Sequence, residues 1–331
     1  MGGVGDLEKA LNSLDSELVS YFLAKNPAPV YDVSFLESVA EFVSRSVKTA
    51  GYTKGVIQTA LNYCMRAIEH KMASAGLREH YVLCRQLFIN GSHLCMGLVD
   101  ISESLTEKVL NYQAAYQFNR AAILGTFSPE KLTRQYSYKS RIAYFIGYEL
   151  KEVYREIAAV WMNRSAIDRR KGARIAEKFK QEKTPSLYFS AANRKYDAFL
   201  LCDDFNKRLR FLDDAVALMH KAESLVGSGF RLARYQLNLA KFYFEKHNLT
   251  HDEVDRGFTV HYYRKTNEFV SNSDDPWCQK IGASIKKTLK VFDKESQKVK
   301  KKSRNKPKFK RRKRSNDRKF VDEGLDEFYS T

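Results

Sequence analysis

Along most of the chain, apolar residues recur at the three- and four-residue spacing that lines up one face of an α-helix. Leu7, Leu11, Leu14, Leu18 and Phe22 trace a first stripe, which the NPAP at Asn26–Pro29 breaks. Ser34 and Glu37 form a capping-box pattern after Val33, so a second helix is predicted there, ending at Gly51. Ile57, Leu61, Cys64, Ile68 and Met72 mark a third helix, and Tyr81, Cys84, Leu87, Gly91, Leu94 and Leu98 a fourth. Gly91 and Gly97 in that fourth stripe either let a neighbouring helix come close or break it at Asn90-Gly91.

Ser104 with Glu107 is a further capping box, followed by Leu105, Val109, Tyr112, Tyr116 and Ile123 on one face. Ser128 is placed as an N-cap with Pro129 in the first helical position, opening a long helix through Tyr138, Ile142, Leu150, Ile157 and Trp161. Thr184-Pro185 reads as a new start. Phe205, Leu209, Leu212, Val216 and Met219 form the cleanest stripe, and Gly227-Ser228-Gly229 connects it to Leu232, Tyr235, Leu239 and Phe242. Thr250 with Glu253 predicts another start, before Val254, Phe258, Tyr262 and Phe269. Ile281, Ile285, Leu289 and Phe292 make the last helix. No alternating strand pair is visible, and no proline falls between Pro29 and Pro129. The expected fold is all-α: about ten antiparallel helices, as a helical-repeat array or an irregular bundle.

One group of segments carries a resemblance. Leu239-Ala240-x-x-Tyr243, with a turn at His247 to His251 and a second helix after it, is similar to the first helix of a tetratricopeptide-type repeat. Ile142-Ala143-x-x-Ile146 before Ala158 and Trp161 resembles the same pattern, and Tyr116–Leu132 resembles a repeat's second helix passing into the next. The resemblance covers about a third of the chain, and the two candidate first helices lie 97 residues apart. It implies a peptide- or protein-binding helical surface and no chemistry.

Charge then changes the picture at two places. Of the net +18, the run Lys298–Lys319 holds fourteen Lys and Arg against one acid, Asp317, a local +13. Only Val299 and Phe309 in it are apolar, too little to offset the entropy of ordering it. Such blocks serve as arms for nucleic acid, making phosphate contacts that do not read sequence, or as nuclear addresses. The residues expected to contact phosphates are Lys300, Lys301, Lys302, Arg304, Lys306, Lys308, Lys310, Arg311, Arg312, Lys313 and Arg314. A second segment, Arg164–Lys195, has ten basic and three acidic residues, and on a helix Arg170, Arg174 and Lys178 share a face, with Arg169 and Lys180 beside it. That face is either solvated or a second phosphate contact. Tyr188, Phe189 and Tyr196, interleaved with Arg194 and Lys195, have the pattern of a base-stacking set, but their helical spacing favours core.

The final residues, FVDEGLDEFYST, combine four acids with Phe320, Leu325, Phe328 and Tyr329, the pattern of a partner-docking peptide. Five widely spaced cysteines without a CxxC read as free thiols of a reducing compartment. No run approaches the about 18 apolar residues of a membrane span, so no membrane partner is expected. Catalytic patterns are sparse. His247 and His251 with Asp252, Glu253, Asp255 and His261 read as a charged helix start, and Asp203-Asp204 and Asp213-Asp214 as polar flanks of a helix. There is no Walker-type loop, no GxSxG and no dinucleotide fingerprint.

The sequence therefore predicts an N-terminal helical region over 1–163, a basic hinge or helix over 164–196, a second helical region over 197–295 and a disordered basic tail over 296–331. The expected function is a non-enzymatic scaffold, without cofactor or metal, that binds a protein through its body and RNA or DNA through its tail. The alternatives are a regulatory protein acting only through protein contacts, with the tail as an address, and a metal-dependent nuclease. The expected location is cytoplasmic or nucleoid-associated in a prokaryote, and nuclear or nucleolar in a eukaryote.

Overall fold

The structure is a computed structural model that describes residues 33–73, 79–273 and 276–304. These residues form twelve α-helices and no strand: α1 (Val33–Ser46), α2 (Lys54–Ala73), α3 (Glu79–Leu83), α4 (Arg85–Asp100), α5 (Leu105–Leu124), α6 (Pro129–Leu150), α7 (Arg155–Lys178), α8 (Thr184–Leu201), α9 (Phe205–Ser224), α10 (Phe230–Thr250), α11 (Glu253–Ser271) and α12 (Pro276–Arg304). The all-α expectation holds. From α5 to α11 each helix packs mainly on the one before and the one after, and α4 packs on α5, α2 and α1. That serial arrangement is the logic of a helical-repeat array.

Three apolar clusters overlap along the chain. The first is built from α1, α2 and α4 around Val39, Ile57, Tyr63 and Leu94. The next joins α4 to α7 around Tyr116, Ile142 and Ile146. The last joins α7 to α11 around Phe199, Leu212, Leu239 and Phe242. Tyr188 and Tyr196 are buried and Phe189 packs against this last cluster, as the sequence reading expected.

Local chemistry sets several helix starts. The Ser104 hydroxyl accepts from the Glu107 amide at 3.1 Å, and Ser128 caps α6 with Pro129 in the first turn. Other boundaries differ from expectation. α1 already contains Val33, which puts Ser34 inside its first turn. Of the two alternatives for Asn90-Gly91, a break is not seen there; the interruption falls at Cys84, between α3 and α4. Gly91 and Gly97 stay within α4, where a Cβ would press on the Phe118 ring and on Val47, so these glycines do admit close neighbours. Asp252, rather than Thr250, caps α11, accepting from the Val254 amide at 2.9 Å. Thr250 ends α10, and His251 turns the chain with φ +58°. The stripe from Leu7 to Phe22 lies outside the described residues.

The chain divides into compact units at 1–285 and 286–331. Of the hinge or helix expected over 164–196, the structure shows helix: that stretch lies inside the first unit, within α7 and α8, and contributes Ala173, Ala176, Leu187 and Ala191 to the core. The tail expected to be disordered from 296 is corrected over its first nine residues, because α12 runs through Arg304. Lys, Gln and Arg are good helix formers, and extending an existing helix costs far less than starting one.

The α6–α7 pair shows a feature the large apolar residues conceal. Thr133, Ser140 and Gly147 recur every seven residues on α6, and Ala158, Ser165 and Gly172 do so on α7. The helices run antiparallel in matching register. Ser140 and Ser165 each donate to the other's carbonyl, at 2.8 and 2.7 Å. A Cβ on Gly147 would stand 3.0 Å from the Ala158 carbonyl oxygen, and one on Gly172 would stand 3.2 Å from the Tyr136 Cβ. Small residues let the two backbones approach closely along the whole seam.

Beside the seam lies a buried polar network. The Tyr116 hydroxyl donates to Asp168 at 2.7 Å, and the Lys139 ammonium pairs with the other carboxylate oxygen at 3.2 Å. Arg164 Nε donates to the Tyr116 oxygen at 2.9 Å. Three helices, α5, α6 and α7, are thereby fixed to one carboxylate that is 1% exposed.

Candidate nucleic-acid interface

Of the basic residues singled out in the second segment, Arg170, Arg174 and Lys178 follow one another a turn apart along α7, and the first two line a common cleft. Both arginines are exposed on α7 and line a cleft of about 380 Å³ closed by α8 and α9. Tyr188, Asp214 and Lys221 supply the opposite wall, with Leu218 as an apolar floor residue. Lys178 stands at the end of α7, its ammonium 5.9 Å from the Phe179 ring, and does not line the cleft.

The carboxylates in the cleft already have partners. Glu177 accepts from the Tyr188 hydroxyl at 2.7 Å and pairs with Lys221 at 2.6 Å. Asp214 pairs with Lys195 of α8. Among the described residues no carboxylate comes within ion-pair distance of Arg170 or Arg174. Two guanidinium forks one turn apart on an exposed face have the geometry that phosphate oxygens can accept from.

Glu177 also makes the cleft acid-sensitive. Lys221 and Tyr188 hold its carboxyl below the ordinary carboxylate value. Between that lowered value and 4.5 the unfolded chain binds more protons than the folded one, so stability rises with pH across this window. The contribution is complete above 4.5 and gone below the folded value. Acid unfolding followed from pH 6 to pH 3 should therefore be less steep in Glu177→Gln; an unchanged profile would show the contact contributes nothing.

The residues of the cationic run divide at Arg304. Lys300, Lys301, Lys302 and Arg304 belong to α12, and Lys306, Lys308, Lys310, Arg311, Arg312, Lys313 and Arg314 lie outside the described residues, as do Phe320, Leu325, Phe328 and Tyr329. Over 286–304 the helix carries nine Lys and Arg against Asp293 and Glu295.

The acidic pairs considered for metal chemistry have structural partners. Asp204 caps α9, accepting from the Lys207 amide at 2.8 Å, and Asp213 pairs with Lys246 at 3.0 Å. His247 Nδ1 lies 2.8 Å from the Asp252 carbonyl oxygen. Among the described residues no group of three His, Cys, Asp or Glu is placed to hold a metal ion, and no helix is long and apolar enough to cross a membrane. All five cysteines are buried free thiols, and burial pushes Cys64 and Cys95 up to about 12.

The sequence reading set Arg169 beside Arg170. The structure sends them to different sides of α7: Arg169 is half-buried, near Arg194 of α8 and Arg141 of α6. The missed signal was Arg141 one turn before the adjacent aromatics Tyr144 and Phe145.

No protein-family profile and no curated protein sequence matches the chain. Two solved structures similar to it are designed proteins. One is described as a circular tandem repeat protein with novel repeat topology and enhanced subunit contact surfaces (13% identity over 86% of this chain and 67% of that one, TM-score 0.37). The other comes from the computational design of self-assembling cyclic protein homooligomers (13% identity over 87% of this chain and 99% of that one, TM-score 0.22).

Proposed function

We propose that this chain is a non-enzymatic helical scaffold that binds RNA or DNA through its cationic C-terminal segment and a protein partner through its helical body. One observation carries the reading: a net charge of +13 over Lys298–Lys319, with a single acid inside the run. Such a segment displaces the condensed counterions of a phosphate polymer into solution, which gives affinity without base recognition. The unpaired Arg170 and Arg174 support a second contact with the same kind of ligand.

The protein-contact half draws on the serial helix packing and the tetratricopeptide-like segments. Exposed Val153, Tyr154, Ile157 and Val160 give the start of α7 an apolar outer face of the kind that marks contact surfaces.

Deleting 298–331 tests the proposal. At 50 mM salt the full chain should hold single- or double-stranded nucleic acid, with affinity falling about 10³- to 10⁵-fold by 200 mM as six to ten phosphates are released. The truncated chain should lose most of the affinity and most of that salt slope. Equal binding by the truncated chain, with an equal slope, would refute the assignment.

A further inference from the structure

Arg141, Arg169 and Arg194 come from three successive helices, α6, α7 and α8, and the charges of Arg194 and Arg141 both act on Arg169. Arg194 lies over the ring of Tyr144, its Cζ 3.2 Å from the centroid, which ties α8 across to α6. Arg141 stands one turn before Tyr144, with its Cζ 5.2 Å from the centroid of Phe145. Arg169 projects from the intervening α7.

These charges are poorly compensated. The Nε atoms of Arg169 and Arg194 are buried without a hydrogen-bond acceptor. Among the described residues no carboxylate is within ion-pair distance of Arg141 or Arg169. The acid paired with Arg194 is Asp197, at 3.6 Å, too long for a strong charge-assisted hydrogen bond. Burial, then Arg194, then Arg141, depress the Arg169 guanidinium to about 10. A buried donor with nothing to bond is costly, and gathering three like charges adds to that cost.

We propose that Arg141, Arg169 and Arg194 form a binding site for one phosphate group. A carboxylate has two oxygens and satisfies one guanidinium fork. A phosphate monoester presents three acceptor oxygens and up to two negative charges, which match three forks arriving from three directions. Stacking on Tyr144 holds Arg194 in place before the ligand arrives, which lowers the entropy lost on binding. The site is separate from the α7–α9 cleft and does not rest on the cationic segment, so the two readings fail independently.

The experiment uses the full chain, freed of nucleic acid, with inorganic phosphate titrated at constant ionic strength. Binding is read by calorimetry and by the unfolding midpoint. The wild-type response should saturate. Arg169→Gln should raise the half-saturating concentration about tenfold or more, the loss expected for a charged hydrogen-bonding partner. Its midpoint without phosphate should be unchanged or higher, because like-charge repulsion is relieved. The exposed Arg141→Gln gives the same comparison with little effect on folding.

Arg170→Gln/Arg174→Gln should leave the response intact, and loss in that variant instead would move the site to the cleft and overturn the proposal. A dithymidine phosphodiester run in parallel separates a nucleic-acid backbone from a free phosphomonoester as the source of the group. A response to either ligand that depends on Arg169 supports the site. Equal responses in wild type, Arg169→Gln and Arg141→Gln would refute it.

Discussion

Asp168→Ala should cost about 3–5 kcal/mol, the usual penalty for stranding one half of a buried ion pair. Asp168 is 1% exposed, and its two oxygens are taken by the Tyr116 hydroxyl and the Lys139 ammonium. Burial already holds Lys139 below its ordinary value, with Asp168 opposing that shift. With the carboxylate gone, the ammonium keeps only the Tyr116 ring, whose centroid is 4.6 Å away. Tyr116 would also lose its acceptor, while Arg164 still donates to its oxygen.

Trp161 rests edge-on against Tyr116 with the ring centroids 5.4 Å apart, so its fluorescence during urea unfolding reports on this region. Asp168→Leu combined with Lys139→Met should recover most of the loss, since replacing both partners by apolar groups removes the uncompensated charge. A cost below about 1 kcal/mol for Asp168→Ala would mean that water reaches the pair.

Gly147→Leu should destabilise the α6–α7 seam by about 3 kcal/mol, at the upper end of what overpacking costs. A Cβ there already meets the Ala158 carbonyl oxygen at 3.0 Å and Met162 at 3.2 Å, and the rest of the leucine has no space without parting the helices. The carbonyl belongs to the α7 backbone and cannot rotate away. The two hydroxyl-to-carbonyl bonds of Ser140 and Ser165, two turns along, would stretch as the helices separate. Gly257→Ala is the matching control: nothing lies within 4 Å of its Cβ, so gained helix propensity should stabilise α11 by about 0.5–1 kcal/mol. Chemical denaturation of both variants checks the contrast, and similar effects would remove the steric argument.

The helices were legible because large apolar residues mark the buried face and Ser104, Ser128 and Pro129 announce starts by their own hydrogen-bonding chemistry. Thr250 and Asp252 show the limit. Both are good caps two residues apart, and only the left-handed turn at His251 decides between them. At 164–196 the charge pattern left hinge and helix undecided, because the charged positions hide the buried face. On α7, alanines and a glycine between the charged residues form the buried face, and small residues leave little trace in an apolar-stripe reading. The cleft was half legible. Arg170 and Arg174 share a face by simple spacing, but the partners that occupy Glu177 and Asp214 come from other helices. Arg169, adjacent to Arg170, faces a different side because one residue of a helix turns by about 100°.

Serial packing also bears on how the chain acquires its shape. Helices α5 to α11 each complete their contacts with segments just before or after them, and α1 and α2 need only wait for α4. Among the described residues no distant strand has to be found, and no long loop has to close before burial begins. Structure can therefore accumulate in the order of synthesis, each new helix docking on one already in place.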